Sequence, residues 1–80
     1  MDKVEKKLSL CFAAVFRNFD PSRIPSASAR QIPEWDSLAQ VNLLSVIGEE
    51  FGMDIDFEDF EDATSFQTIA EHLRQKAASA

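Results

Sequence analysis

Apolar residues recur at three- and four-residue spacings along most of the chain, which is the signature of amphipathic helices. Val4, Leu8, Cys11, Phe12, Val15, Phe16 and Phe19 form the first stripe, and Asp20-Pro21 ends it. A second run, from about Ser37 to Glu50, sets Val41, Leu44, Ile47 and Phe51 on one face. It leaves Asn42, Ser45 and Glu49 to solvent and stops at Gly52. At about 100° per residue, Leu38 falls at the edge nearest that polar stripe, so partial exposure is expected. Phe57 and Phe60, three apart behind Asp56, predict a short third helix with both rings turned inward. Thr64 and Gln67 have the spacing of a capping box. They open a last helix whose apolar face is Phe66, Ile69, Ala70, Leu73 and Ala77. Met53 to Phe57 alternates briefly without a partner segment, so no strand pair is predicted. The pattern describes an all-α bundle of four helices, the third of them short.

Between the first two helices, Asp20 to Asp36 carries Pro21, Pro25 and Pro33 with Ser22, Ser26 and Ser28, which is loop chemistry. A loop this long in so small a domain needs a packing or functional reason. Ile24, Ile32 and Trp35 are placed to pin it to the core, and Trp35, two residues before Ser37, is also placed for recognition. Eighty residues support a single domain, 1–80, with a thin core.

With 45% hydrophobic and 28% charged residues the composition is that of a soluble globular protein. Lys3, Lys6 and Lys7 ahead of the apolar residues 8–16 superficially resemble a secretory signal. Asp2 and Glu5 dilute the basic start, no A-x-A-like site follows, and Arg17 and Phe19 resume the helical pattern. No apolar stretch approaches the roughly 18 residues of a membrane span. Cys11 has no internal partner for a disulfide and falls on the apolar face, which makes it a small buried hydrophobe. These features together predict a cytoplasmic, monomeric protein without membrane insertion. The net charge of −6 is unevenly spread: ten acidic residues and no Lys or Arg lie between Glu34 and Asp62. Such a field opposes nucleic acid and favours partners with basic patches.

Ser37 is the residue whose placement carries chemistry. The first turn of a helix has unpaired N–H groups and the positive end of the dipole, which suit a phosphate-linked group on a serine there. The same position reads structurally as an N-cap, with Gln40 completing an S-x-x-Q capping box. A hydrolytic triad is not supported, because His72 is solitary on a polar position of the last helix and no third group orients it. The segment Asp54 to Asp62 lacks the ligand spacing of a calcium loop, no Cys/His cluster suggests a metal, and Gly48 and Gly52 do not form a phosphate cradle. A small acidic helical protein with one well-placed serine fits a substrate carrier or an interaction module.

Asp36-Ser37-Leu38, then Val41, Leu43 and Leu44, then Glu49-Glu50-Phe51-Gly52, then Ile55 and Thr64 resemble the acyl carrier protein family in order and spacing. The resemblance covers most of the chain. It implies a four-helix bundle with a long first loop, and a covalent 4′-phosphopantetheine on Ser37. A Mg²⁺-dependent phosphopantetheinyl transferase would install it from coenzyme A, and the arm's thiol would hold cargo as a thioester. The carrier itself would perform no turnover. It would raise the effective concentration of its cargo at successive enzymes. Its implied partners are the transferase, a cargo-loading ligase or acyltransferase, and downstream biosynthetic enzymes with basic docking patches. Asp36, Leu38, Asn42, Glu49 and Glu50 are the residues expected to meet them.

Fatty acid carriers commonly place acidic residues where this chain has Ala39, Asn42 and Gly48, whereas Glu49 and Glu50 remain. The WDSL form, with Trp35 and Asn42, looks more like discrete carriers of specialised pathways: polyketide, nonribosomal peptide or cell-surface polysaccharide synthesis. An aminoacyl or peptidyl carrier of the same mechanism is the nearest alternative. An unmodified acidic helical adaptor is the alternative from another class.

Overall fold

The computed structural model describes residues 2–79, with side chains described from Asp2 to Lys76. The described residues are all-helical, apart from one isolated antiparallel bridge. Helix α1 spans Lys3–Val15. Its cap is Asp2, whose carboxylate accepts the Glu5 N–H at 2.8 Å, and Leu8, Cys11 and Phe12 are its buried face. It ends before Asp20-Pro21, where the pattern set its limit. The Phe16 N–H still reaches the Phe12 carbonyl at 2.7 Å, but Phe16 itself leaves helical geometry and lays its ring 5.3 Å from that of Trp35. A contact made 19 residues along the chain accompanies this early stop.

The loop that follows is more ordered than its composition implies. Asp20 caps a 3-10 helix at Pro21–Ser26, accepting from the Ser22 N–H at 3.0 Å and the Ser22 hydroxyl at 2.9 Å. The rest is stitched to the approach of the last helix. The Ala29 N–H donates to Thr64 O, the Phe66 N–H donates to Ala27 O, each at 2.9 Å, and the Gln67 amide donates to Pro25 O at 3.1 Å. Ile24, Ile32 and Trp35 are buried as anticipated, and Ala27 joins them. The loop therefore supplies core residues that three helices alone would lack.

Helix α2 spans Ser37–Phe51 and closes on Gly52, which takes the left-handed conformation (φ +61°) that glycine adopts without steric cost. Leu43, Leu44 and Ile47 are buried, whereas Val41, assigned to the apolar face from the sequence, is 44% exposed. The buried face is therefore rotated toward Leu43 relative to the predicted one. Gly48 is close-packed there: a Cβ at that position would meet the Met53 carbonyl at 3.2 Å and Ile55 at 3.4 Å.

The short third helix is a 3-10 turn, Phe57–Phe60, capped by Asp56 through the Glu58 N–H at 3.0 Å. Only one of its two rings is buried in the core: Phe60 is fully buried, whereas Phe57 is 49% exposed and lines the groove beside α2. Helix α3 spans Phe66–Ser79. Its cap is Ser65, one residue later than the expected Thr64, with the Ser65 hydroxyl accepting the Thr68 N–H at 3.2 Å. Gln67 is taken by the loop carbonyl instead of a capping box. Phe66, Ile69, Ala70 and Leu73 are fully buried, while the Ala77 side chain lies outside the described residues.

Phe12 is the hub of the core. Its ring lies 5.8 Å from Phe16, 5.4 Å from Trp35 and 5.3 Å from Phe66, so it joins α1, the loop and α3. At the open end, the Arg74 guanidinium bridges Asp2 at 3.0 Å and Glu5 at 3.1 Å, tying α3 to the start of α1.

Candidate functional site

Asp36, not Ser37, is the N-cap of α2. Its backbone is extended and its carboxylate accepts the Ala39 N–H at 2.9 Å, while its carbonyl accepts the Gln40 N–H. Ser37 is consequently the first residue of the helix, exposed, with a hydroxyl that the cap does not require. With the Ala39 N–H taken by Asp36, the Ser37 and Leu38 N–H groups remain without a partner within the helix, at the positive end of its dipole.

Ser37 lines a groove of about 450 Å³. One wall is α2, with Ser37, Gln40, Val41 and Leu44; the other is Phe57, Glu61 and Thr64; Trp35 and Ala29 close the end. The lining is mainly apolar, with Asp36 and Glu61 contributing the acidic groups. An open, mainly apolar groove with an exposed helix-start hydroxyl among its lining residues has room for a flexible chain attached at that hydroxyl.

Leu38 is 70% exposed beside Ser37. With Val41, Asn42, Ser45 and Glu49, all exposed, it makes one continuous solvent-facing stripe along α2. The remaining candidates are not gathered at the serine. Glu49 is twelve residues on, about 18 Å along the helix axis. Glu50 lies round the helix toward α1, where its charge adds to burial in pushing the Cys11 thiol up to about 11. All ten acidic residues between Glu34 and Asp62 are exposed; among the described residues Asp59 alone of them takes a salt bridge, to Lys76 at 3.3 Å. The acidic field is therefore turned outward.

Cys11 is fully buried, as its place on the apolar face implied. His72 is half-buried and not simply a surface group: its Nδ1 pairs with the Thr68 carbonyl at 2.9 Å, and its ring lies 5.3 Å from Phe60. That engagement leaves it in no relation to Ser37. No group of three or more His, Cys, Asp or Glu among the described residues could hold a metal ion, and no described helix is long and apolar enough to cross a membrane.

Sequence reasoning gave Gln40 to a capping box and Phe57 to the core, did not single out Glu61, and missed the place of all three in the groove. Gln40 had a visible signal: on the wheel it falls in the middle of the arc formed by Leu43, Leu44 and Ile47, where a polar side chain must find buried partners. It accepts the Trp35 Nε1–H at 2.6 Å and donates to the carbonyls of Phe60 at 3.0 Å and Ala63 at 3.2 Å. Phe57 and Glu61 had no such signal, since a four-residue turn leaves its facing undetermined.

Residues 35–73, which run from Trp35 through α2 and the second 3-10 helix into α3, match the family model described as the phosphopantetheine attachment site. No curated protein and no solved structure matches the chain.

Proposed function

We propose, from the match of residues 35–73 to the phosphopantetheine attachment-site family, a domain that takes 4′-phosphopantetheine covalently on a serine, that Ser37 is that serine and that the protein is an acyl carrier. Carrier domains of this family are generally non-catalytic, and they interact with phosphopantetheinyl transferases and biosynthetic enzymes.

The matched segment contains three serines, and their surroundings differ. Ser65 has its hydroxyl engaged, capping α3 and pairing with the Thr68 hydroxyl at 2.8 Å. Ser45 is exposed but lies mid-helix, where the backbone N–H groups are already paired. Ser37 is exposed at the first helical position with its cap supplied by Asp36, and this is the observation that carries the assignment. In the modification, the Ser37 oxygen forms a bond to the phosphorus of the coenzyme A phosphopantetheine, the nucleotide portion leaves, and the hydroxyl proton passes to the transferase. The attached group supplies a terminal thiol on which cargo is held as a thioester.

The residues of the chain provide the rest. Leu38 and Asn42, on the exposed stripe beside Ser37, serve as contacts for the transferase and later enzymes. The outward acidic surface, with Glu49 at the far end of the stripe and Glu50 toward α1, steers basic partners into fast, salt-sensitive encounters. The cargo is an acyl group loaded by a separate ligase or acyltransferase, and the carrier acts as a cytoplasmic monomer.

The test is intact mass after incubating the apo protein with coenzyme A, Mg²⁺ and a broad-specificity transferase. One phosphopantetheine should be gained, mapped to Ser37, and lost in Ser37→Ala. An unchanged mass for folded protein with active transferase refutes the reading in favour of an unmodified adaptor. A panel of fatty, aromatic and amino acids with candidate loading enzymes then separates an acyl from an aminoacyl carrier.

A further inference from the structure

We infer that Gln40 is a positioning residue for the modification of Ser37, acting as an amide strut that holds the two walls of the groove in register. The inference rests on the assignment of Ser37 as the modified serine.

Gln40 lies one turn beyond Ser37 on α2 and lines the same groove. Its Oε1 accepts the Trp35 Nε1–H at 2.6 Å, and its Nε2 donates to Phe60 O at 3.0 Å and Ala63 O at 3.2 Å. One side chain thus joins three segments: the loop immediately before Ser37, the helix that begins with it, and the 57–64 segment that forms the opposite wall. Trp35 is anchored on its other side by Phe12 and Phe16. The Ser37 turn is therefore referenced to the core through a single amide that uses both its acceptor and its two donors.

An enzyme that brings a donor phosphate to this hydroxyl depends on the hydroxyl's position and on the shape of the adjoining groove. A displacement of about 1 Å in such an alignment can cost about 100-fold in rate. Removing the strut frees Trp35 from α2 and the far wall from both, while leaving every residue of the exposed stripe in place. The loss should accordingly fall on kcat for modification more than on KM.

The test compares wild type, Gln40→Leu and Gln40→Glu in the transferase assay, with circular dichroism at the assay temperature to establish that each is folded. Gln40→Leu keeps the bulk and removes all three hydrogen bonds; a fall in kcat of about tenfold or more is expected, with KM within about threefold. Gln40→Glu is isosteric and keeps the acceptor for Trp35, but an ionised carboxylate has no proton to offer Phe60 O and Ala63 O. The titratable groups around it are Asp36 and Glu61 along the groove and His72, whose ring lies on Phe60. Two facing carbonyls and the neighbouring carboxylates favour its protonated form, so its rate relative to wild type should recover as pH falls, while the Gln40→Leu ratio stays flat. A residue that merely stabilised the fold would lower the melting temperature of both variants without this pH-dependent rescue. Wild type that is modified at Ser37 alongside Gln40→Leu or Gln40→Glu of equal kcat overturns the inference alone. Wild type that is not modified overturns the carrier assignment and this inference with it. If Gln40→Leu is unfolded, the isosteric Gln40→Glu decides the matter through its pH profile.

Discussion

The aromatic hub offers the sharpest quantitative test of how this small core holds the Ser37 end of the molecule. Phe12 is fully buried, and its ring meets those of Phe16, Trp35 and Phe66 at 5.8, 5.4 and 5.3 Å. Phe12→Leu preserves an apolar side chain at the site but removes all three ring contacts. Each is worth about 0.5–1.5 kcal/mol beyond burial, and the lost volume adds about 1 kcal/mol. The sum is about 2.5–5.5 kcal/mol, a large share of the roughly 4–12 kcal/mol expected for a domain of this length. Urea unfolding followed by the fluorescence of Trp35, the chain's single tryptophan, should show the midpoint falling by at least about 2.5 M at a slope of about 1 kcal/mol/M. A cycle of Phe12→Leu and Trp35→Leu, read by circular dichroism, isolates their shared contact. A coupling of about 1 kcal/mol is expected. The Trp35–Gln40 hydrogen bond is lost in both arms that change Trp35 and therefore cancels. A total loss below about 1 kcal/mol, or a coupling of zero, would mean that the rings are merely adjacent and that the loop is held by its backbone bonds.

Two further outcomes follow from single residues. Gly52→Ala should cost about 1 kcal/mol in the urea midpoint, with Gly52→Asn costing less, because the added Cβ meets nothing within 4 Å and the penalty is that of the left-handed backbone alone. Burial pushes the Cys11 thiol from its ordinary 9.0 up to about 11, with the Glu50 charge adding to the effect. The folded state then keeps its proton after the unfolded chain has lost it, so this contribution is whole below pH 9 and disappears as pH rises through 11. The loss totals about 2–3 kcal/mol, and Cys11→Ala should flatten the fall over that range. A slope unchanged in that variant would contradict the assignment.

The sequence by itself determined which stretches become the long helices and most of the side chains that enter the core. The three long helices and the exposure of Leu38 follow from spacing, because amphipathic periodicity is a property of a segment and its solvent, and the burial of Ile24, Ile32 and Trp35 follows from their being the large apolar residues of a polar loop. It also placed Ser37 at a helix start, where first-turn N–H groups suit a phosphate. Facing and end points were another matter. The early stop of α1 at Val15 accompanies the Phe16–Trp35 contact, and the shift of the last cap from Thr64 to Ser65 accompanies the bonds of Thr64 and Phe66 to the loop; the exposure of Val41 and of Phe57 likewise departs from the local pattern. Tertiary structure decided the role of Gln40 in the same way. A capping box is a local arrangement, whereas Asp36 occupies the cap and the Gln40 amide finds carbonyls 20 and 23 residues away. Local patterns specify what a segment needs to bury or to bond. Which partner satisfies that need is settled only when other segments arrive, since a part-buried amide accepts from whichever donors, and donates to whichever carbonyls, the assembled core brings within reach.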